Sequence, residues 1–336
     1  MSAVTDVRRR GGRASMVGSG LLVVAVLVLA LWVPYNVSLG TLSSLVGLFV
    51  LVILGTTWNL MAGYAGMVSI GQQAFIGIGG YGVIHLADAV GLPVLGAVVA
   101  AAVVCGAVAW ATSFLVFRLA GGYFAIGTWV VAEVVKLLTT QVDALGGGSG
   151  LSLGAFQGAD RVARVATVYW LGLTLAVVVV LATFALMRSR VGLGLTAIRD
   201  DPTAASGLGV PVDRSKRIVY VASSAGVGLA GALTALNTLR VTPDSIFSVG
   251  FTASMIFVVL IGGIGTIEGP IVGAVVSFVL QDRLADLGSL YLVVLGVVAI
   301  VVVLLAPRGL WGLVTRVTDV HLFPLVHTVR REASED

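Results

Sequence analysis

The sequence predicts an all-α, polytopic membrane bundle of about ten transmembrane helices, and three observations carry that prediction. Of 336 residues, 58% are hydrophobic and 11% charged, with a mean hydropathy of +1.07. Soluble domains carry about 25% charged residues and cannot hide this much apolar surface. The apolar residues gather into runs near the ~20 residues that cross a bilayer as a helix. The basic residues, finally, concentrate in every second connection between runs, as charges that set membrane topology do.

The runs fall at 16–34, 42–62, 68–87, 93–117, 122–141, 167–187, 217–238, 247–262, 269–283 and 291–306. Arg8, Arg9, Arg10 and Arg13 precede the first run. Pro34-Tyr35-Asn36 follows it, where a cleaved signal peptide would carry small residues, so it reads as a retained span. With the N-terminus inside, ten crossings bring Arg8, Arg9, Arg10, Arg13, Arg118, Arg188, Arg190, Arg199, Arg214, Lys216, Arg217, Arg308, Arg316, Arg330 and Arg331 to the cytoplasmic side. Arg161, Arg164, Arg240 and Arg283 fall outside, and Lys136 lies within a span. This asymmetry predicts that both termini are cytoplasmic. The expected organisation is a cytoplasmic arm at 1–15, a transmembrane domain at 16–313 and a cytoplasmic tail at 314–336, in a plasma or inner membrane.

Other functions are disfavoured. The basic residues sort by membrane side rather than along one face, so nucleic acid is not an expected partner; the lipid bilayer is. Cys105 stands alone in an apolar run and implies neither a disulfide nor a thiolate metal site. No G-x-x-x-x-G-K-[ST] phosphate loop occurs, so any ATP must be hydrolysed by a partner. The chain is expected to bind no cofactor or metal and not to be an enzyme.

Two glycine-punctuated segments interrupt the runs. Met61–Gly82 reads MAGYAGMVSIGQQAFIGIGGYG, and Ile261–Gly273 reads IGGIGTIEGPIVG. Paired broken segments in opposite halves of a membrane protein point to a pathway at the midplane. Tyr64, Ser69, Gln72, Gln73, Gly262, Gly263, Gly265 and Glu268 are the pathway candidates. The glycines have a second reading, as flat surfaces for close helix crossing. The polar side chains must find partners or line a wet cavity. Glu133 and Lys136 stand at i,i+3 within a span, where they are expected to neutralise one another. A proton-coupled carrier would instead use Glu133 or Glu268. Gly146–Gly150 reads as a glycine-serine turn in an external loop.

The longest polar interruption, Met187–Arg217, begins and ends on positive charge. Asp201-Pro202 is a helix-start signal: a carboxylate for a free N–H, then proline at the first helical position. Thr203–Leu208 provides barely two turns, and Gly209 suits their end. A short capped helix between two spans is what a mechanical contact with another protein requires.

Four motifs stand in a telling order. G-Y-A-G-x-x-S-I-G-x-x-A-F-x-G-I-G occupies 63–79, and G-Y-F-A-I-x-T then A-E-x-x-K occupies 122–136. A-I-R-D-D-P-x-A-A-S-G-L-G-V occupies 197–210, and G-G-I-G-T-x-x-G-P-x-x-G-A at 262–274 precedes P-R-G-L at 307–310. This pattern closely resembles the permeases of branched-chain amino-acid ABC importers, of the subunit type with the A-I-R-D/E-D loop. The resemblance covers the chain from about Leu39 to Leu313. It implies a second homologous permease, two cytoplasmic ATP-binding subunits and an external substrate-binding protein. It also implies that 188–216 couples to an ATPase subunit through Gly194, Ala197, Arg199, Asp200, Asp201, Pro202, Ala204, Ala205 and Gly209. Met67 and Gln72 depart from the pattern, so urea, short amides or other small carboxylates stand as alternative solutes.

Overall fold

The computed structural model describes residues 7–9, 32–156, 158, 160–284, 288, 290–318 and 327–329. Short β1 (Val7–Arg9) and β4 (His327–Val329) pair antiparallel, Val7 opposite Val329. Helix α1 (Leu39–Asn59) starts at Ser38, whose side chain accepts the Thr41 N–H, and ends in a π turn at Leu60–Tyr64. Then follow α2 (Gln73–Asp88), α3 (Val94–Val116) and α4 (Gly122–Gln141). After β2 (Leu151–Ser152) comes α5 (Arg161–Arg188), then the short α6 (Arg190–Asp200) and α7 (Pro202–Gly207), then α8 (Val212–Thr238). The chain continues through β3 (Arg240–Val241), α9 (Pro243–Ile246), α10 (Val249–Gly262), α11 (Glu268–Arg283), α12 (Leu290–Leu305) and α13 (Gly309–Thr318).

Among the described residues, seven helical stretches are long and apolar enough to cross a membrane, so the chain is an all-α, multi-pass membrane protein. They are Leu39–Tyr64, Val94–Val116, Gly122–Gln141, Arg161–Arg188, Val212–Thr238, Pro243–Gly262 and Leu292–Arg316. Two further apolar runs form α2 and α11, each 16 residues. At 1.5 Å per residue these reach about 24 Å, short of the ~30 Å hydrocarbon core. The first run, 16–34, lies almost wholly outside the described residues. Helix α5 starts ahead of its apolar run, because Asp160 caps it by accepting the Ala163 N–H.

Helix α8 is the most enclosed span and packs against α1, α2 and α3; α10 and α11 pack on another side of α1. The α2–α8 crossing is close enough for backbone contact. A Cβ added at Gly79 would collide with the Gly228 carbonyl, and one at Gly231 with the Ile76 carbonyl. The glycine-rich face of α2 is therefore a packing surface against α8.

At the end of the bundle opposite 188–216, β2 pairs antiparallel with β3, Leu151 opposite Val241. The Asp88 carboxylate accepts the Gly154 and Ala155 N–H groups, both at 2.6 Å, and so ties this loop to the end of α2. Ser149 Oγ donates to the Gly146 carbonyl inside the glycine-serine turn. Lys136 Nζ lies 2.7 Å from Asp244 Oδ1 on α9, with Glu133 also within Coulombic reach. A lysine stem is long enough to leave its own helix, and the capped turn of α9 presents a carboxylate opposite it.

Candidate functional site

The first break begins at the end of the bundle that carries 188–216, where Arg199 reaches the Gly63 carbonyl, and Asn59 ties the second break to the same place. The first break follows a helix that continues from Leu39 to Tyr64, about 39 Å, and the second follows α10.

After the π turn, Gly66 takes φ +67°, and residues 66–72 run without helix back into the bundle. Trp58 Nε1 donates to the Ser69 carbonyl at 3.0 Å, which sets Ser69 beside the last turns of α1. Gln72 Nε2 reaches Ser69 Oγ and Met61 Sδ, both at 3.3 Å. The Ile70 N–H donates to Thr128 Oγ1 on α4, and a Cβ at Gly71 would collide with the Thr128 carbonyl. Helix α2 therefore begins inside the protein, with Gln73 Oε1 accepting from Thr252 Oγ1 of α10 at 2.6 Å. Ser69, Gln72 and Gln73 are fully buried. Gln72 Oε1, Gln73 Nε2, the Tyr64 hydroxyl and the Ser223 and Ser224 hydroxyls of α8 are buried with no protein partner among the described residues.

The second break turns at Gly263 (φ +131°) and Gly265 (φ +78°), a backbone that side chains resist. Thr266 Oγ1 donates to the Gly263 carbonyl at 2.9 Å and accepts the Gly269 N–H at 3.0 Å, which closes the turn into α11. Gly262 packs on the Gly269 carbonyl with no room for a Cβ. Glu268 opens α11 and is buried, a carboxylate at the positive end of a helix.

Asn59, at the end of α1, joins the two breaks. Its Nδ2 donates to the Thr266 carbonyl at 2.7 Å, and its Oδ1 accepts the Gly265 N–H at 2.8 Å. The 188–216 segment arrives at the same place, where Arg199 Nη1 donates to the Gly63 carbonyl at 2.6 Å. Tyr64 lies within Coulombic reach of both Glu268 and Arg199.

Within 188–216 the two helices differ. Helix α6 buries Gly192, Gly194, Leu195 and Ile198, while Ala197 is half-buried. Helix α7 starts at Asp201, whose Oδ1 accepts the Thr203 and Ala204 N–H groups at 2.8 and 3.1 Å. Gly209 follows with φ +82°. Ala205 is buried, whereas Arg199, Asp200, Asp201, Pro202, Ala204 and Gly209 are exposed, and Leu208 is 82% exposed.

The predicted residues thus form two groups. Tyr64, Gly265, Glu268 and Arg199 converge with Asn59; Ser69, Gln72 and Gln73 form a separate buried cluster with Thr128 and Thr252. Asn59, Thr128 and Thr252 carry no expectation from the sequence. Asn59 alone had a signal, as an amide near the end of an apolar run.

Residues 40–303 match the family model described as branched-chain amino acid transport system, permease component. The chain belongs to that family. It is 29% identical over 322 residues to the high-affinity branched-chain amino acid transport system permease protein LivM of Escherichia coli (strain K12), an alignment covering 88% of this chain and 76% of the relative. The Salmonella typhimurium (strain LT2) LivM protein is 28% identical over the same extents. No solved structure matches. In this family setting, the matched region takes in both breaks and the whole of 188–216.

Proposed function

We propose that this chain is the permease subunit of an ATP-driven ABC importer, forming the path for branched-chain or other small hydrophobic amino acids across the inner membrane. The observation that carries the reading is α7, a capped and exposed helix joined through the single extended residue Asp201 to the partly buried α6. Such a helix offers a rigid contact to a partner, and the chain has no phosphate loop of its own. Two cytoplasmic ATP-binding subunits would supply the drive, a second homologous permease would complete the path, and an external binding protein would deliver the solute. In this arrangement ten spans cross the membrane, both termini are cytoplasmic, and Gly194–Gly209 couples to an ATPase subunit. Support for an apolar solute comes from the family and from the names of the relatives, both of which specify branched-chain amino acids.

The path reading rests on the buried polar cluster at Ser69, Gln72 and Gln73. A solute carboxylate arriving there would meet the N-terminal end of α2, where the helix dipole favours an anion. The test is uptake in proteoliposomes containing this chain, its co-purifying permease and ATPase subunits, and the cognate binding protein. Labelled leucine, isoleucine and valine should accumulate only with ATP. Uptake of urea or short amides in their place would reassign the solute, and uptake driven by a proton gradient without ATPase subunits would refute the importer reading.

A further inference from the structure

Arg199 sits in the last turn of α6, where an arginine ordinarily turns toward the free carbonyls of its own helix. It does not do so here. Its Nη1 crosses to the Gly63 carbonyl in the π turn of α1, a partner 136 residues away in sequence. The second break closes on the same point: a Cβ at Gly265 would lie 2.9 Å from Arg199 Nη1 and 3.5 Å from the Gly63 carbonyl oxygen. At Gly66, where the chain leaves the π turn, an added Cβ would lie 3.6–3.9 Å from the Arg199 Cα, Cβ and Cγ.

We infer that Arg199 is a positioning residue that carries movement of the 188–216 segment to both broken helices at once. The inference rests on the importer reading above, and it assigns Arg199 an inward task in place of a docking contact. Three features make the link stiff. A guanidinium is planar, always charged, and makes short charge-assisted bonds to carbonyl oxygens. Arg199 is two residues from Asp201, which both caps α7 and bonds back to α6 through its own N–H to the Ala197 carbonyl at 3.0 Å. A push on α7 therefore reaches Arg199 with no flexible linker between. Asn59, finally, binds the second break to α1 with a donor and an acceptor together, so that moving Gly63 moves Gly265. The glycine at 63 is part of the device, because a Cβ there would collide with Asn59 Oδ1. A discrete packed element displaced as one body is how a local push becomes a change at a distance.

The test uses the assembled complex with its ATPase subunits and compares wild type, Arg199→Met and Arg199→Lys. The first readout is ATP hydrolysed per solute imported. In Arg199→Met this ratio should rise on the order of tenfold, the scale of coupling that one such contact carries. Arg199→Lys keeps the charge and one donor and should recover most of the loss. The second readout is the spin-label distance between Ala204→Cys and Val68→Cys, both exposed positions, measured without nucleotide and in the vanadate-trapped state. A rigid link holds that distance constant in the Arg199 background and lets it change in Arg199→Met. A purely structural arginine would lower yield or melting temperature and leave both readouts where they were. Coupled import with an unchanged distance in Arg199→Met would overturn the inference, as would a Lys variant no better than Met. Failure of the wild-type chain to assemble with any ATPase pair strikes the importer reading itself, and is seen before the variants are compared.

Discussion

The junction at Asn59 and the buried cluster at Gln72 and Gln73 are both polar and both adjoin the first broken segment, yet their amides are finished to different degrees. At the junction, both ends of the Asn59 amide are bonded, Thr266 Oγ1 both donates and accepts, and the Gly63 carbonyl holds a guanidinium. In the cluster, Gln72 and Gln73 each use one end of the amide and leave the other without a protein partner. A saturated network resists rearrangement, because each broken bond leaves a costly unpaired group. A half-used one can exchange partners at little cost. The contrast assigns mechanical duty to the first and changing contacts to the second.

The largest effect that would expose this difference is steric. Gly63→Val places side-chain atoms where Asn59 Oδ1 lies and should part the two breaks. The expected loss exceeds about 3 kcal/mol, the range of severe overpacking, and is read as failure to recover monodisperse protein. Next comes Asn59→Leu, which strands the Gly265 N–H and the Thr266 carbonyl. At about 1–3 kcal/mol per unpaired group, its melting temperature should fall clearly, with Asn59→Asp lying between it and wild type. An unaltered melting curve would show that the junction is not a structural bond at all.

The cluster should behave otherwise. Gln73→Leu alone strands Thr252 Oγ1, but Gln73→Leu with Thr252→Val removes both partners and should return stability to within ~1 kcal/mol. Uptake by the double variant should nevertheless stay impaired. If uptake and thermal stability recover together, the cluster is only packing. The smallest effect is expected for Lys136→Met. Its partner Asp244 is 91% exposed, so the pair is worth about 0.5 kcal/mol or less. A loss of several degrees would mean that this contact braces the α4–α9 end more firmly than an exposed pair can.

The parts of this fold legible in the sequence were those whose cause is local. Apolar runs became helices because each carries its own hydrophobic signal, and α7 starts at Asp201-Pro202 because a cap is decided within four residues. The junction was not legible, since Asn59 finds its partners more than 200 positions downstream and nothing beside it announces them. Nor was the Arg199–Gly63 contact legible, since its partner lies 136 positions upstream. Lys136 keeps Glu133 within Coulombic reach, but its close partner Asp244 sits on another helix, which local spacing does not show. The breaks themselves were visible as glycines.

The crossing of α2 and α8 bears on how the path can open. Gly79 rests on the Gly228 carbonyl and Gly231 on the Ile76 carbonyl, a pair of notches set into each other. Sliding either helix by one residue would drive a side chain into a peptide group, so lateral shear between them is blocked. The two helices must travel as a single block. Any rearrangement of the path must therefore take place at other helix contacts.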